Sequence, residues 1–584
     1  MNKTVFFCLR LICVWVIEMQ NRKKSLILFT IILLTIPALG IWLQNEDTEQ
    51  KHSPFSVSIP SGNGIEQIRC WEKDPESYCV FLPSYADLSQ AFLQIDPEYS
   101  VLVDGSALSD GMTCQDFPLN TPLEMTCSAS HITYHSSLIF VQSANIPTLY
   151  IDVTSGSMEY IQEKRGNAEE GTLRLYTADN ALDYSGHLSS IKGRGNSSWK
   201  IDKKPYSLTL AEEADLLGMG QASKWVLLSN AYDKTHLHNK IVYDFAQAWN
   251  MAYSPSCQWV DLYLNGEYNG LYLLSEKNEV HPQRVALTDA GGFLVSQEWK
   301  QNLMSKKVPY IETKAGIALR VFNSSVNTLE LTGIWQSVEN AILAEDGTDP
   351  VTGKHWTELI DLDSWVKVYL INELFGNIDT GFSSEYYYYD ASDPSGKIYA
   401  GPVWDYDETM GKFPVNSIAH RPYTLIDASM PWPIALYQKP EFYSRLTELY
   451  QTEALPLIND LQAEKLGCYR ALINQAAQMD QLRWSAADPI ESADEIAPYL
   501  SGRIAFLNSL WIEGETYCYV LADRGARYHS ILHAVKPGEC ITNLFRYNEN
   551  PDDFYWVNAE TGEVFDDSSP IYTDMVISRR SRQP

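Results

Sequence analysis

Two acidic segments in the middle of the chain have the residue types that phosphoryl transfer requires. Residues 372–379 close a predicted helix with Asp379, and residues 401–407 end an apolar strand with Asp405 and Asp407. One carboxylate can orient an attacking hydroxyl while a second holds Mg²⁺, because this chemistry asks the protein chiefly for positioning and charge neutralisation. The structural alternative is that Asp379 caps its loop and Asp405 pairs with a buried cation, since buried carboxylates need partners.

A glycine-containing loop at residues 191–199 precedes these segments, and Lys203 and Lys204 follow the loop. Backbone N–H groups of such a loop can bind phosphate oxygens, and a lysine on the next strand can reach them. A Gly-x-Gly sequence is also a common tight turn, so the loop alone does not assign a function. Residues 267–276 read as a buried strand that ends in Glu276, which fits either an adenine-facing edge or a plain hairpin.

The elements that must position these residues predict an α+β protein. Apolar residues recur at helical spacing over residues 234–249 and 362–375, and residues 442–510 have a helical pattern. Short alternating runs predict β structure before residue 146 and after residue 515. The predicted organisation is a leader at 1–44, a β-rich domain at 45–146, a site-bearing domain at 147–515 and a small β module at 516–584.

The N-terminus predicts an extracytoplasmic protein. Residues 25–44 contain no charge, follow a basic cluster ending in Lys24 and precede an acidic stretch, as in exported proteins. The run is long enough to span a bilayer, while residues 38–40 can form a cleavage site, so a membrane anchor and a secreted form both fit. Eight cysteines outside the leader suit an oxidising compartment, and proximity favours the disulfides Cys70–Cys79, Cys114–Cys127 and Cys518–Cys540.

The charge of the chain is strongly acidic, with a net value of −30 over 584 residues. The first 44 residues carry +4, which leaves −34 for the remainder. This balance argues against nucleic acid as a partner, because neutralising phosphates requires a cationic surface. The acidity fits either a solubility role or attraction of a basic partner.

Seven sequence blocks, taken in order, resemble the CotH kinase family of secreted or spore-coat proteins. They are KGRGNSSW, KKPY, LLGM, KWVLLSNAYDKTHLHNK, LYLNGEYNGLYLLSEK, LIDLDSWVKVYLINELFGNID and GPVWDYD, within about residues 147–510. The resemblance implies an atypical protein-kinase-like, two-lobed core. It also implies phosphorylation of Ser on basic or Ser-rich proteins of the cell or spore surface, with ATP and Mg²⁺ or Mn²⁺.

The resemblance also implies roles for individual residues. Lys204 is expected to contact phosphate, and Glu276 to end the adenine-side strand. Asp379 corresponds to the catalytic aspartate, Asp405 to the principal metal ligand and Asp407 to a helper. The phosphate-binding loop corresponds to Gly193, Arg194, Gly195, Asn196, Ser197 and Trp199.

Two positions depart from the family pattern. Ser384 stands where many members place an Asn that holds a second metal, and a hydroxyl coordinates Mg²⁺ more weakly. His238 stands where members often have Arg; if that Arg contacts phosphate, a mostly neutral imidazole weakens nucleotide binding. A weak or inactive kinase-fold protein acting in surface or coat assembly is therefore the main alternative. A metal-dependent hydrolase fits less well, since the acidic segments lack His ligands.

The C-terminal segment has a resemblance of its own. Residues 535–576 look like a single degenerate Listeria–Bacteroides repeat, a small β module of bacterial surface proteins. The alternative is a generic β extension that contains a Thr-Gly turn. Both interpretations predict a binding or spacing role for this segment and no catalysis.

Overall fold

The computed structural model describes residues 53–582, apart from 75, 130–131, 231, 289–290, 324–326, 382, 412–423, 426–430, 485–492, 526–529, 542–543 and 545–549. The predicted leader at residues 1–44 lies outside the described residues. Within the described part, no helix combines the length and the apolar character that crossing a membrane requires. Every contact reported below lies within one compact unit, Phe55–Pro584.

The region before residue 146 consists mainly of two sheets. One has the strand order β2-β1-β5, from β1 (Phe55–Ser61), β2 (Gly64–Arg69) and β5 (Phe92–Ile95). The other has the order β3-β4-β9-β8-β6-β7, from β3 (Trp71–Asp74), β4 (Ser77–Leu82), β6 (Tyr99–Val103), β7 (Ser106–Ala107), β8 (Leu123–Ala129) and β9 (Ile132–Gln142). Glu66 of β2 is buried and pairs with Arg174 of the following barrel at 2.7 Å, which ties the two regions together.

A closed barrel follows. Its strand order is β10-β11-β12-β13-β14-β16-β15, and a parallel pairing of β15 with β10 closes it. The strands are rich in Leu, Ile, Val and aromatic residues, whose alternate side chains fill the interior. The strands are β10 (Thr148–Val153), β11 (Ala168–Tyr176), β12 (Leu182–Gly193), β13 (Tyr206–Asp215), β14 (Gln221–Leu228), β15 (Cys257–Leu264) and β16 (Glu267–Glu276).

Most of the helices come after the barrel and pack around a second core. In chain order the helices are α1 (Glu159–Glu163), α2 (His238–Ala248), α3 (Lys300–Lys306), α4 (Thr328–Leu343), α5 (Trp356–Leu359), α6 (Leu362–Phe375), α7 (Pro431–Tyr437), α8 (Pro440–Leu449), α9 (Leu455–Asp460), α10 (Leu466–Trp484) and α11 (Ile496–Trp511). They enclose a sheet of order β18-β19-β17-β20-β21, from β17 (Phe293–Gln297), β18 (Tyr310–Glu312), β19 (Ala318–Val321), β20 (Tyr386–Tyr389) and β21 (Tyr399–Ala400). The predicted α+β class is confirmed.

The two helices predicted around the site are present. The second one, α6, has the predicted limits, because the Asp361 side chain accepts from Ser364 N at its start and Gly376 adopts φ +63° at its end. The first one, α2, begins at His238 and not at residue 234. Asp233 accepts hydrogen bonds from the backbone N–H groups of both Thr235 and His238, so the chain turns before the helix starts.

The C-terminal sheet contains a strand from earlier in the chain. Its order is β22-β24-β23-β26-β25, from β22 (Thr424–Leu425), β23 (Cys518–Asp523), β24 (Ile531–Val535), β25 (Phe554–Asn558) and β26 (Met575–Ser581). β22 lies between the acidic segment at 401–407 and α7. The sheet also meets α7 directly, because the hydroxyls of Tyr437 and Tyr519 are 3.5 Å apart. The resemblance of this region to a Listeria–Bacteroides repeat stays a prediction.

The predicted disulfides are not present: the eight cysteines in the described part of the chain form no disulfide bond with one another. The strand register explains this for the first pair. Cys79 of β4 lies opposite Trp71 of β3, so it is not the direct cross-strand partner of Cys70. At the C-terminus, Cys540 instead donates to the carbonyl oxygen of Ser568 at 3.0 Å. Cysteines that are close in sequence therefore do not have to face each other with the geometry that a disulfide bond requires.

A buried ion pair fixes α10 against the barrel. Lys203 Nζ lies 2.6 Å from Asp480 Oδ1 and also donates to the carbonyl oxygen of Leu271 at 2.7 Å. His236 Nε2 lies 3.3 Å from the other oxygen of Asp480. Burial opposes ionisation of this carboxyl, but the charges of Lys203 and His236 lower the pKa of Asp480 to about 2. The Asp480 carboxylate therefore stays ionised down to acidic pH, while burial lowers the pKa of Lys203.

Asp261, in the same interior, behaves in the opposite way. It has no exposed surface, and burial raises its pKa to about 7. The folded protein thus keeps a proton that the unfolded chain releases near pH 4. The stability that this proton provides is complete below pH 4 and is lost as the pH rises through 7.

We expect Asp261→Asn to stabilise the protein at alkaline pH. The gain in free energy of unfolding should be about 1.5 kcal/mol at pH 5 and reach about 4 kcal/mol above pH 8, since an amide carries no charge to bury. Urea unfolding at several pH values measures it, with exposed Asp460→Asn as the control. Parallel curves for wild type and Asp261→Asn across this range would contradict the prediction.

Candidate active site

The segment that leads to Asp405 is not the predicted strand, because β21 covers only Tyr399–Ala400. The first turns of α2 hold this segment. Asn239 Oδ1 accepts from Tyr406 N at 2.7 Å, and the Tyr243 hydroxyl accepts from Asp405 N at 3.3 Å. Asp405 itself adopts φ +69°, an unfavourable backbone conformation for a residue with a side chain. Such strain persists where surrounding contacts impose it, and it is concentrated at functional sites.

Ser384 completes a pair of oxygen atoms with Asp405. Its hydroxyl donates to Asp405 Oδ2 at 2.9 Å, and its backbone N donates to the carbonyl oxygen of Gln297 at the end of β17. Ser384 also has a left-handed backbone, with φ +64°. Two segments in unfavourable conformations thus bring their side-chain oxygens together at one point.

Asp379 lies on the turn after α6, and a buried network joins this turn to the Asp405 segment. Asn377 Oδ1 accepts from Asp379 N at 3.1 Å, and Asn377 Nδ2 donates to Asn372 Oδ1. The same oxygen of Asn372 accepts from the Tyr406 hydroxyl at 2.7 Å. Asn372 also donates to Glu385 at 2.9 Å. A single amide therefore links the Asp379 turn, the Asp405 segment and the Ser384 segment.

Further carboxylates crowd this region. Burial and the charges of Asp405, Asp233 and Asp379 raise the pKa of Asp407 well above its ordinary value. Burial and the charges of Asp379, Asp407 and Asp405 likewise raise the pKa of Glu408. Mutual repulsion of this kind is relieved by a cation among the oxygens. Asp379, Asp405 and Asp407, predicted from separate motifs, are thus close enough to affect one another electrostatically.

The glycine loop lies against the segment that contains Asp405. The Arg194 guanidinium stands 5.4 Å from the ring of Trp404, the neighbour of Asp405. A side chain at Gly193 would collide with the Trp199 ring at 2.0 Å, and Gly195 adopts φ +82°. The loop conformation therefore requires both glycines. Of the remaining loop residues, Ser197 precedes a short 3₁₀ turn at Ser198–Lys200 and Asn196 accepts from Arg165 at 3.1 Å.

The two adjacent lysines after the loop point to different partners. Lys204 Nζ donates to the carbonyl oxygen of Trp199 at 2.9 Å and lies 5.2 Å from its ring. Lys203 is buried in the pair with Asp480. In the described residues, neither ammonium has a polar contact with the acidic segments. Lys204 therefore supports the end of the loop in this conformation.

Glu276 occupies a separate buried pair. One oxygen lies 2.6 Å from Arg284 Nη1, and the other accepts from Ser256 N at 2.8 Å. The Arg284 guanidinium stacks over Trp225 at 4.8 Å. Two residues further on, Asn278 donates to the carbonyl oxygen of Val403 at 3.4 Å. The end of β16 is thus connected to the Asp405 segment, but through Asn278 and not through Glu276.

His238 lies beneath the site. It has no exposed surface, and its Nδ1 is 3.2 Å from the carbonyl oxygen of Asp407. Its Nε2 is 3.6 Å from Asp233. A fully buried imidazole cannot reach a nucleotide, so at this position the side chain supports the acidic segment.

The donor set fits a cation shared with phosphates. In the described residues, no three His, Cys, Asp or Glu side chains converge closely enough to enclose a metal ion by themselves. Mg²⁺ is commonly held by one or two protein oxygens together with substrate phosphates, and the Asp405–Ser384 pair offers such a partial site. Asp405 and Ser384 would hold the ion, with Asp407 adjacent.

Several residues of the site were not predicted from the sequence. Glu408 directly follows Asp407, so the run of acidic residues itself could have indicated it. Glu298 and Lys306 lie between β17 and β19, and Arg320 lies in β19; all three influence one another electrostatically beside Asp405. No local sequence pattern marks these three residues.

Oxygen ligands for a hard cation beside a phosphate-binding type of loop define a candidate phosphotransferase site. The family model for CotH kinase protein matches residues 191–507, more than half of the chain and all of the predicted site residues. The chain belongs to the CotH kinase family. Comparison with curated proteins finds no match.

Proposed function

We propose that the protein is a two-lobed, extracytoplasmic kinase that transfers the γ-phosphate of ATP to Ser hydroxyls of proteins, with Mg²⁺ or Mn²⁺. The single observation that carries the proposal is the hydrogen-bonded Asp405–Ser384 pair, joined through Asn372 to the Asp379 turn. The barrel is one lobe and the helical region with β17–β21 is the other. The Arg194–Trp404 contact spans the two.

Different residues of the site have different roles in phosphoryl transfer. Asp379 accepts a hydrogen bond from the Ser hydroxyl and takes its proton as the new O–P bond forms and the bond from the γ-phosphorus to ADP breaks. Asp405 and Ser384 hold the cation, which when bound neutralises charge on the phosphates. The loop at 193–199 supplies backbone N–H groups toward those phosphates.

The charge and the predicted leader support the proposed protein substrate and location. The −34 charge outside the first 44 residues supports a basic or Ser-rich protein substrate, attracted electrostatically. The uncharged run at residues 25–44 supports export, with membrane attachment if the run is not cleaved.

If the acidic charge attracts the substrate, raising the salt concentration should raise the KM for a basic substrate, because screening weakens attraction between exposed charges.

Transfer of labelled phosphate tests the function. The purified protein, Mg²⁺ or Mn²⁺ and a basic Ser-rich protein should give label on Ser, and Asp379→Ala should reduce the rate at least about 100-fold. Asp460→Ala, an exposed substitution on α9, is the matched control and should leave the rate unchanged. Transfer that Asp379→Ala does not slow would refute the assignment.

One observation favours the alternative of a kinase-fold protein that binds without catalysis. Lys204 is engaged with the Trp199 carbonyl, and Ser384 replaces a stronger amide ligand. A thermal shift with ATP and Mn²⁺ separates the two functions: binding without transfer supports the non-catalytic role in surface or coat assembly.

A further inference from the structure

Four half-buried cations from separate parts of the chain gather beside Asp405. Arg194 stands over Trp404, as described above, and Arg165 donates to the Gly195 carbonyl oxygen and to Asn196. Arg320 lies 4.3 Å from the Phe322 ring, whose centroid is 5.6 Å from that of Tyr386. Lys306 ends α3.

The register of the sheet directs Arg320 toward the site. Ser296 of β17 pairs with Arg320 of β19 on one side and with Tyr386 of β20 on the other. Directly paired residues project from the same face of a sheet, so Arg320 and Tyr386 share a face. Tyr386 follows Ser384 by two residues, and its ring centroid lies 5.6 Å from that of Phe322, over which the Arg320 guanidinium stands at 4.3 Å. The face that carries Arg320 is therefore the face of the metal-ligand pair.

The four cations lack carboxylate partners. Within the described residues, none of them has a carboxylate oxygen within 4.0 Å, whereas Arg174, Arg445, Arg483 and Arg503 all do. Glu298, which interacts electrostatically with Lys306 and Arg320, has a buried Oε2 with no hydrogen-bond partner among the described residues. In a chain with a net charge of −30, unpaired cations at one place are unusual.

The electrostatics agree with this geometry. Burial and the neighbouring charges of Arg165, Arg320 and Arg194 lower the pKa of Lys306, although Glu298 opposes the shift. Like charges brought together out of water are costly unless a counter-charge joins them. Because none of the four cations has an ion-pair partner among the described residues, a bound polyanion would complement the cluster.

We propose that Arg194, Lys306 and Arg320 bind the polyphosphate chain of a nucleoside triphosphate, and that Arg165 positions Arg194 by holding the loop at Gly195 and Asn196. The inference rests on the proposed function and deepens it. In this proposal Lys306 and Arg320 of the β17–β19 segment neutralise the phosphate charge. Lys204 does not, because its ammonium donates to the Trp199 carbonyl oxygen. The segment then contributes a second wall of the phosphate site, opposite the glycine loop.

Binding to the full chain tests the proposal without relying on catalysis. Calorimetry with ATP, AMP and inorganic tripolyphosphate is applied to wild type, Lys306→Gln, Arg320→Gln and the double variant. Each single change should weaken ATP and tripolyphosphate about 10-fold, because a charge-assisted hydrogen bond is lost, and AMP by less than about 2-fold. Lys314→Gln, an exposed cation on the turn between β18 and β19, is the matched control and should change nothing.

The outcomes separate this proposal from the proposed function. Tripolyphosphate binding that the double variant loses, in a protein that transfers no phosphate, supports the cation cluster and rejects the kinase. If phosphate transfer depends on Asp379 but the double variant binds ATP with unchanged affinity, polyphosphate binding by the cation cluster is rejected. The proposed kinase function is then retained. Equal weakening of AMP and ATP also overturns polyphosphate binding by the cluster, and Arg320→Lys, which preserves charge, should restore most of the affinity.

Discussion

Asp405→Asn should abolish phosphotransfer while leaving the fold intact. The amide can still accept from the Ser384 hydroxyl, which lies 2.9 Å from Asp405 Oδ2, so local packing is conserved. The negative charge that holds a divalent cation is lost. A preorganised electrostatic group of this kind contributes about 100- to 1,000-fold to a rate, and we expect a loss of at least that size.

Two measurements show whether the effect acts through the cation. Transfer rates are titrated with Mn²⁺, and Mn²⁺ binding is followed by electron paramagnetic resonance with ATP present. Asp405→Asn should weaken Mn²⁺ binding strongly. Asp407→Asn is the informative neighbour, because Ser384 donates to Asp405 and not to Asp407. Equal losses for the two variants would contradict the assignment of Asp405 as principal ligand.

The sequence predicted those parts of the site that depend on local patterns. The limits of α6 follow from an Asp361 cap and a Gly376 stop, and the strand at Thr148–Val153 from its apolar run. Asp379 follows the end of α6, and Asp405 and Asp407 follow β21 on a segment that is not itself a strand. Their proximity is therefore a consequence of where the elements end.

Other parts depended on information that a local pattern does not contain. Lys203 and Lys204 are adjacent in sequence, and only the fold determines that Lys203 is the one that pairs with Asp480 of α10. Lys306 and Arg320 reach the site through the register of β17 with β19, a long-range pairing. The strand β22 joins the C-terminal sheet from more than 100 residues upstream of β24, so the boundary at residue 515 does not separate two sets of contacts.

The ion pair between Glu373 and Arg503 should have the largest effect on stability. Both side chains have no exposed surface; Arg503 Nη2 contacts the Glu373 carboxylate, and Arg503 Nε donates to the Glu373 carbonyl oxygen at 2.6 Å. Removing one partner leaves a buried charge without compensation, which costs about 3–5 kcal/mol. Arg503→Met should therefore lower the free energy of unfolding by about that amount, measured by urea unfolding.

The matched control is an ion pair whose acidic residue lies on the same helix as Glu373, α6. Arg445 pairs with Asp363 of α6 at 2.7 Å, but that carboxylate is 50% exposed, so Arg445→Met should cost less than about 1 kcal/mol. A double variant, Arg503→Met with Glu373→Leu, should recover much of the loss, because neither charge then remains buried. Equal costs for Arg503→Met and Arg445→Met would contradict the prediction.

The position of Glu373 gives this stability a functional consequence. Glu373 follows Asn372, the amide that joins the Asp379 turn to the Asp405 segment. Loss of the ion pair frees the end of α6 from α11 and should loosen this junction. Arg503→Met should thus reduce the transfer rate even at temperatures at which the variant remains folded. The double variant should recover stability to a greater extent than activity, because only the original ion pair sets the rotation of α6.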